Sequence, residues 1–140
     1  MRCLGLDIGD KRIGVAISDP EQILASPLST IIRDDDEKAI DAIVELVGKH
    51  EVQRIVVGLP YSLDGSVGRQ ASKVIAFVEQ LSKCTEAHIE TRDERFSTIA
   101  AEHLLAEAGT KRDTIRLRRD AAAAAFILQG YLDSIKVSDQ

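Results

Sequence analysis

Three groups of carboxylates, far apart in the chain, have the side-chain type and the setting for chemistry on phosphate esters. The first is Asp7, within Met1-Arg-Cys-Leu-Gly-Leu-Asp7-Ile-Gly9-Asp-Lys11-Arg12-Ile-Gly14-Val-Ala-Ile17. This stretch reads as a strand, a tight glycine-bearing turn and a second strand. Asp7 is then held on rigid backbone at the rim of a sheet, and Gly9 and Gly14 are expected to let phosphate or nucleic-acid backbone come close. The second group is Asp93-Glu94, in Thr91-Arg92-Asp93-Glu94-Arg95-Phe96-Ser97-Thr98 at the end of a later predicted strand. The third is Asp120, which opens the alanine run 121–125 and shares a helical stripe with Ala124, Ile127, Leu128 and Tyr131. Asp120 is expected in the first turn of its helix, as an N-cap or as an inward-pointing charge that the helix dipole tolerates.

Carboxylates meeting from three such segments have an electrostatic consequence. Two unit charges about 5 Å apart repel by roughly 3 kcal/mol at an effective dielectric of about 20. A bound cation removes that cost. Oxygen donors without an accompanying His or Cys suit Mg²⁺ or Mn²⁺, as one or two ions, better than zinc. Such ions activate water and stabilise a departing oxygen, so no Ser, Cys or His nucleophile is needed. His50, His88 and His103 form no ligand pair.

The elements that must position these acids follow from periodicity. Leu4–Ile8, Ile13–Ser18 and Leu28–Arg33 predict an antiparallel meander, with Pro27 marking the third strand as an edge. The spacings Ile40/Ile43/Val44/Val47, Ala71/Val74/Ile75/Val78 and Ala101/Leu104/Leu105/Ala108 predict three amphipathic helices. Between them Arg54–Leu59 and Ala87–Thr91 predict buried strands parallel to the first. The fold class is therefore α/β, and sites in such sheets gather outside the carboxyl ends of the parallel strands. Asp7 and the 93–94 pair both lie at such ends. Strand alternation allows only one of Asp93 and Glu94 to face Asp7.

Flanking residues supply candidates for holding a polyanion. The loop after Val56-Val57-Gly58-Leu59-Pro60 carries Ser62, Ser66 and Arg69 as donors to phosphate oxygens, and Asp64 as a reserve metal ligand. Lys111, Arg112, Arg116, Arg118 and Arg119 form a basic run, read either as a solvated loop or as a rim that grips nucleic acid. The chain's 140 residues suit one domain, and its net charge of −5 argues against a nonspecific nucleic-acid coat. Two distant cysteines outside any metal-ligand spacing, with neither a leader nor an apolar span in view, predict a cytoplasmic protein with reduced thiols and no membrane partner.

Four motifs in order carry a family resemblance: Asp7-Ile-Gly9-Asp-Lys11-Arg12-Ile-Gly14-Val-Ala16, Val57-Gly58-Leu59-Pro60 with Asp64-Gly65, Asp93-Glu94-Arg95-Phe96-Ser97-Thr98, and Asp120 before Ala123-Ala124. Together they resemble the YqgF/RuvX family over nearly the whole chain. The resemblance implies an RNase H-like domain over 1–134, followed by a polar tail at 135–140. Its five-stranded mixed sheet has order 3-2-1-4-5, with strand 2 antiparallel. It implies a metal-dependent nuclease acting on structured nucleic acid, either the 5′ end of precursor 16S rRNA in ribosome biogenesis or, by analogy with the RuvC resolvases, a Holliday junction in recombination. Asp7, Glu94 and Asp120 become the expected catalytic, metal-binding acids, with Asp93 and Asp64 in reserve. Lys11, Arg12 and Arg95 become expected phosphate contacts. One departure stands out: Gly58-Leu59-Pro60 occupies the strand end where many RNase H-like nucleases carry an acid, so the middle carboxylate must come from 93–94 or from Asp64.

Two other classes compete. The Asp-x-Gly turn also resembles the phosphate hairpin of actin-like kinases and chaperone ATPases, but those close a second lobe over ATP, for which 140 residues leave no room. A noncatalytic RNA-binding assembly protein would retain the same acids without turnover.

Overall fold

The computed structural model describes residues 1–59, 68–93 and 112–138, the side chains of 112–118 and 136–138 excepted. Five strands, β1 (Arg2–Ile8), β2 (Arg12–Ser18), β3 (Ala25–Ile32), β4 (Val52–Leu59) and β5 (His88–Asp93), form one sheet in the order β3-β2-β1-β4-β5. The β1–β2 and β2–β3 pairings are antiparallel, and β1–β4 and β4–β5 are parallel. This is the expected mixed sheet. Among the described residues three helices cover it: α1 (Asp36–Lys49), α2 (Arg69–Ser82) and α3 (Arg112–Ser138).

β1 is central and buried on both faces, and its alternation divides the core in two. Leu4, Leu6 and Ile8 join Ile13, Val15, Ile55 and Val57 beneath Ile40 and Ile43 of α1 and Val74, Phe77 and Leu81 of α2. Cys3 on the opposite face joins Ala16 and Val56 beneath Ala124, Ile127, Leu128, Tyr131 and Leu132 of α3. Each fully buried large aliphatic side chain contributes about 1.5–3 kcal/mol, so the first layer carries most of the apolar stabilisation. The second is built for closeness instead. A Cβ on Gly5 would stand 2.8 Å from the Leu128 Cβ and 2.9 Å from the Ala124 carbonyl, so the alanine run of α3 lies directly on sheet backbone.

The acids at 35–37 suit the start of α1. Asp35 caps α1 by accepting a hydrogen bond from the Glu37 amide at 2.8 Å, and Asp36 and Glu37 occupy the first turn at the positive end of the dipole. In α2 the core position expected of Ile75 is taken by Phe77; Ile75 is exposed.

Three expectations are corrected. Pro27 does lie in an edge strand, but that strand starts at Ala25, and Pro27 sits where the β2–β3 register slips. There its missing N–H costs no ladder bond. β5 is the opposite edge, and its residues are exposed or half-exposed rather than buried. α3 runs from Arg112, so the described part of the basic run, 112–119, is helix and not loop, and Asp120 lies more than two turns inside rather than at a cap. Residues 112–119 contain neither Gly nor Pro, and Arg and Leu are good helix formers, so nothing in them stops the helix. The helix expected around Ala101–Ala108 lies outside the described residues.

Candidate active site

The site is assembled where β1, β2 and α3 meet. In the antiparallel β1–β2 ladder Asp7 stands directly opposite Gly14, so the two residues project to the same face of the sheet. That face is the one α3 covers. A Cβ on Gly14 would stand 1.8 Å from the carbonyl oxygen of Asp120 and 2.2 Å from its carbonyl carbon. The vacant Cβ position of Gly14 is about 5 Å from the Cβ of Asp7 by cross-strand geometry. Asp7 and the backbone of Asp120, 113 positions apart in sequence, thus stand on one face of the sheet.

This corrects the expected role of the glycines. Gly14 admits the backbone of α3, not a phosphate. Gly9 is needed for the turn itself: its amide donates to the Arg12 carbonyl at 2.9 Å, and a Cβ there would stand 2.8 Å from the same oxygen.

Arg12 alternates with Gly14 on β2 and so reaches the same face. Its Nε donates to Asp120 Oδ2 at 2.6 Å, with the side chains 26% and 15% exposed. A charge-assisted bond this short fixes the Asp120 carboxylate. Lys11, in the turn, is exposed. Arg119 is half-buried at the α3 crossing.

On its other side Asp7 is bordered by β4. Leu6 pairs with Val57, so Gly58 comes beside Asp7, and Gly58 in turn pairs with Arg92 of β5. Arg92 lies against Gly130 of α3, and its Nη1 donates to Ser134 Oγ at 3.5 Å. It shares the site's face, although the sequence offered no signal for it. Asp93 pairs with Leu59, a member of the layer under α1 and α2, so its side chain leaves the sheet on the face opposite Asp7. Asp93 and Asp7 are not brought together. Arg69 is exposed at the first turn of α2, near the same rim but in the opposite layer. Asp64, Ser62, Ser66, Glu94, Arg95 and the side chains of Arg116 and Arg118 lie outside the described residues.

Carboxylate oxygens from Asp7 and Asp120, with no His or Cys among them, fit a hard divalent cation such as Mg²⁺ or Mn²⁺. Among the described residues no three His, Cys, Asp or Glu side chains form a complete cage. Elsewhere, burial raises the Cys3 thiol pKa, and the hydrogen bonds from Arg33 hold the Asp36 carboxyl below its usual range.

A family model described as RuvX, Holliday junction resolvase, matches residues 1–134. The chain belongs to the RuvX family. The match spans every strand, Asp7 and Asp120. Among curated RuvX relatives, one from Dehalococcoides mccartyi is 52% identical over 126 residues, covering 90% of this chain and 93% of the relative. One from Desulforamulus reducens is 46% identical over 134 residues, covering 96% and 98%. Both carry the name "Putative pre-16S rRNA nuclease". Among solved structures, Thermus thermophilus RuvC in complex with a Holliday junction superposes with a TM-score of 0.63 at 13% identity, covering 97% of this chain and 96% of that one. The fowlpox virus resolvase with junction DNA gives 0.59 at 15% identity, covering 96% and 99%. These two likenesses are of fold: the RuvX chain has the RNase H-like architecture of the RuvC-type resolvases. No helix among its described residues is long and apolar enough to cross a membrane.

Proposed function

We propose that this RuvX chain is a divalent-metal-dependent endonuclease that hydrolyses phosphodiesters in structured RNA, with the precursor of 16S rRNA as its substrate. The observation that supports this reading is the backbone of Asp120 seated on Gly14, the cross-strand partner of Asp7. The names of relatives at 46% and 52% identity support the choice of RNA.

In this reading Asp7, on the central strand, and Asp120, fixed by Arg12, hold Mg²⁺ or Mn²⁺ together with a third acid. Glu94 is our choice for that acid over Asp93, because Asp93 faces the other layer and the period-two alternation of β5 favours the residue after it. A bound ion would supply Lewis acidity and would activate a water for attack. Lys11 and Arg12 offer positive charge to the phosphate from the β1–β2 turn, with Arg69, Arg95, Arg116, Arg118 and Arg119 as the wider cationic rim.

The RuvX family description and the shared fold of the RuvC resolvases favour a second reading, a branched-DNA resolvase. The deciding experiment incubates wild type and Asp7→Asn with Mn²⁺ on a precursor 16S fragment and on a four-way DNA junction, with binding measured alongside. Cleavage of the RNA that vanishes in Asp7→Asn while binding persists is the expected result. Cleavage of the junction alone favours the resolvase. Tight RNA binding without cleavage by wild type favours a noncatalytic assembly role, and an Asp7→Asn variant as active as wild type removes Asp7 from the chemistry.

A further inference from the structure

Just beyond β3, Arg33 makes a set of polar contacts that reach the β1–β2 turn and the start of α1. Its Nη1 donates to the Gly9 carbonyl at 2.8 Å, and its backbone amide donates to the Lys11 carbonyl at 2.8 Å. The rest of the fork goes to the start of α1, where Nε and Nη2 donate to the two carboxylate oxygens of Asp36 at 2.8 and 3.3 Å. The guanidinium also lies over the Phe77 ring of α2, 4.9 Å from its centroid. One side chain, only 13% exposed, therefore ties the β1–β2 turn to both helices of the opposite layer.

Among the described residues the turn has few other bonds, the Gly9 amide to the Arg12 carbonyl at 2.9 Å being one. Gly9, Asp10 and Lys11 are all that separates β1 from β2. Among the described residues the turn's own side chains make one ion pair, Lys73 with Asp10 at 3.6 Å, half exposed on both sides, a kind of contact that contributes little. Any displacement of the Gly9 carbonyl passes through three residues to Lys11 and Arg12, and Arg12 is the partner of Asp120. Only a planar fork spans a carbonyl and a carboxylate at once; a lysine ammonium is a single point of charge.

We propose that Arg33 is a positioning residue for nucleic-acid binding: acting through the Gly9 and Lys11 carbonyls, it sets where the β1–β2 turn presents Lys11 and Arg12 to substrate phosphates. The inference rests on the proposed function above, since it requires that the turn cations meet phosphate. Its test uses a fluorescent precursor 16S fragment in EDTA, so that no metal or cleavage contributes. Binding is titrated against salt for wild type, Arg33→Met, Arg33→Lys, Lys11→Ala and the Arg33→Met/Lys11→Ala double variant, all well below their melting temperatures.

Arg33→Met is expected to weaken binding about tenfold and to lower the salt slope by about one, as loss of an ordered phosphate contact does. Arg33→Lys should fail to restore it, because geometry rather than charge is lost. The double variant should bind no more weakly than Arg33→Met alone, the coupling expected of residues acting in series. A folded Arg33→Met or Arg33→Lys protein with wild-type affinity and salt slope, whatever its melting temperature, overturns the proposal. If Lys11→Ala itself binds as wild type, the phosphate-binding role of the turn has failed instead.

Discussion

Asp7 and Gly14 are direct cross-strand partners, and the hydrogen that Gly14 carries in place of a side chain is what admits Asp120 to the face of Asp7. The position is more sensitive than an ordinary strand glycine because the obstructing atoms are helix backbone, which cannot rotate away. Gly14→Ala is expected to displace α3 and to destabilise the fold by about 2–3 kcal/mol, in the range of overpacked cores. Urea denaturation measures the loss, and a Mn²⁺ titration of the folded fraction should show weakened binding. Unchanged stability and metal affinity would mean that α3 is not seated on Gly14.

The Asp36 carboxyl is held below its ordinary pKa, first by the hydrogen bonds from Arg33 and then by that residue's charge. A folded-state pKa below the unfolded one gives stability that is complete above the unfolded value and disappears as pH falls through the folded one. Asp36→Asn should therefore be less stable than wild type at neutral pH, and the two should converge in acid below the usual carboxylate range. Thermal melts across pH 2–7 test this, and a gap that persists undiminished at the acid end would contradict it.

Cys3 is fully buried on β1 with its thiol pKa raised by that burial, whereas Cys84 is exposed beyond the end of α2. An aromatic disulfide reagent should modify Cys84 promptly in the native protein and reach Cys3 only at the rate of unfolding. Prompt reaction of both thiols would show that the layer under α3 opens readily.

Much of this architecture is legible in the residues. Leu4, Leu6 and Ile8 alternate with Cys3, Gly5 and Asp7, and that period of two already separates the face of the apolar layer from the face of the site. The extent of α3 is not legible. Its first two turns, rich in arginine, lack the apolar stripe that marks a helix, so the apparent start falls at Asp120, where the alanines begin. Gly14 misleads for a related reason: a glycine shows that something comes close but not what, and here it is the chain's own backbone. Arg33 gives no advance signal, because its partners are carbonyls of residues 22 and 24 positions away, and main-chain acceptors leave no trace in residue identity.

The central claim is that Asp7 and Asp120 grip one divalent ion. Anomalous diffraction from a crystal soaked in Mn²⁺ measures it directly. A manganese peak within about 2.1 Å of a carboxylate oxygen of each residue is the predicted result. A peak bound by only one of them, or no peak on that face of the sheet at millimolar Mn²⁺, would contradict it.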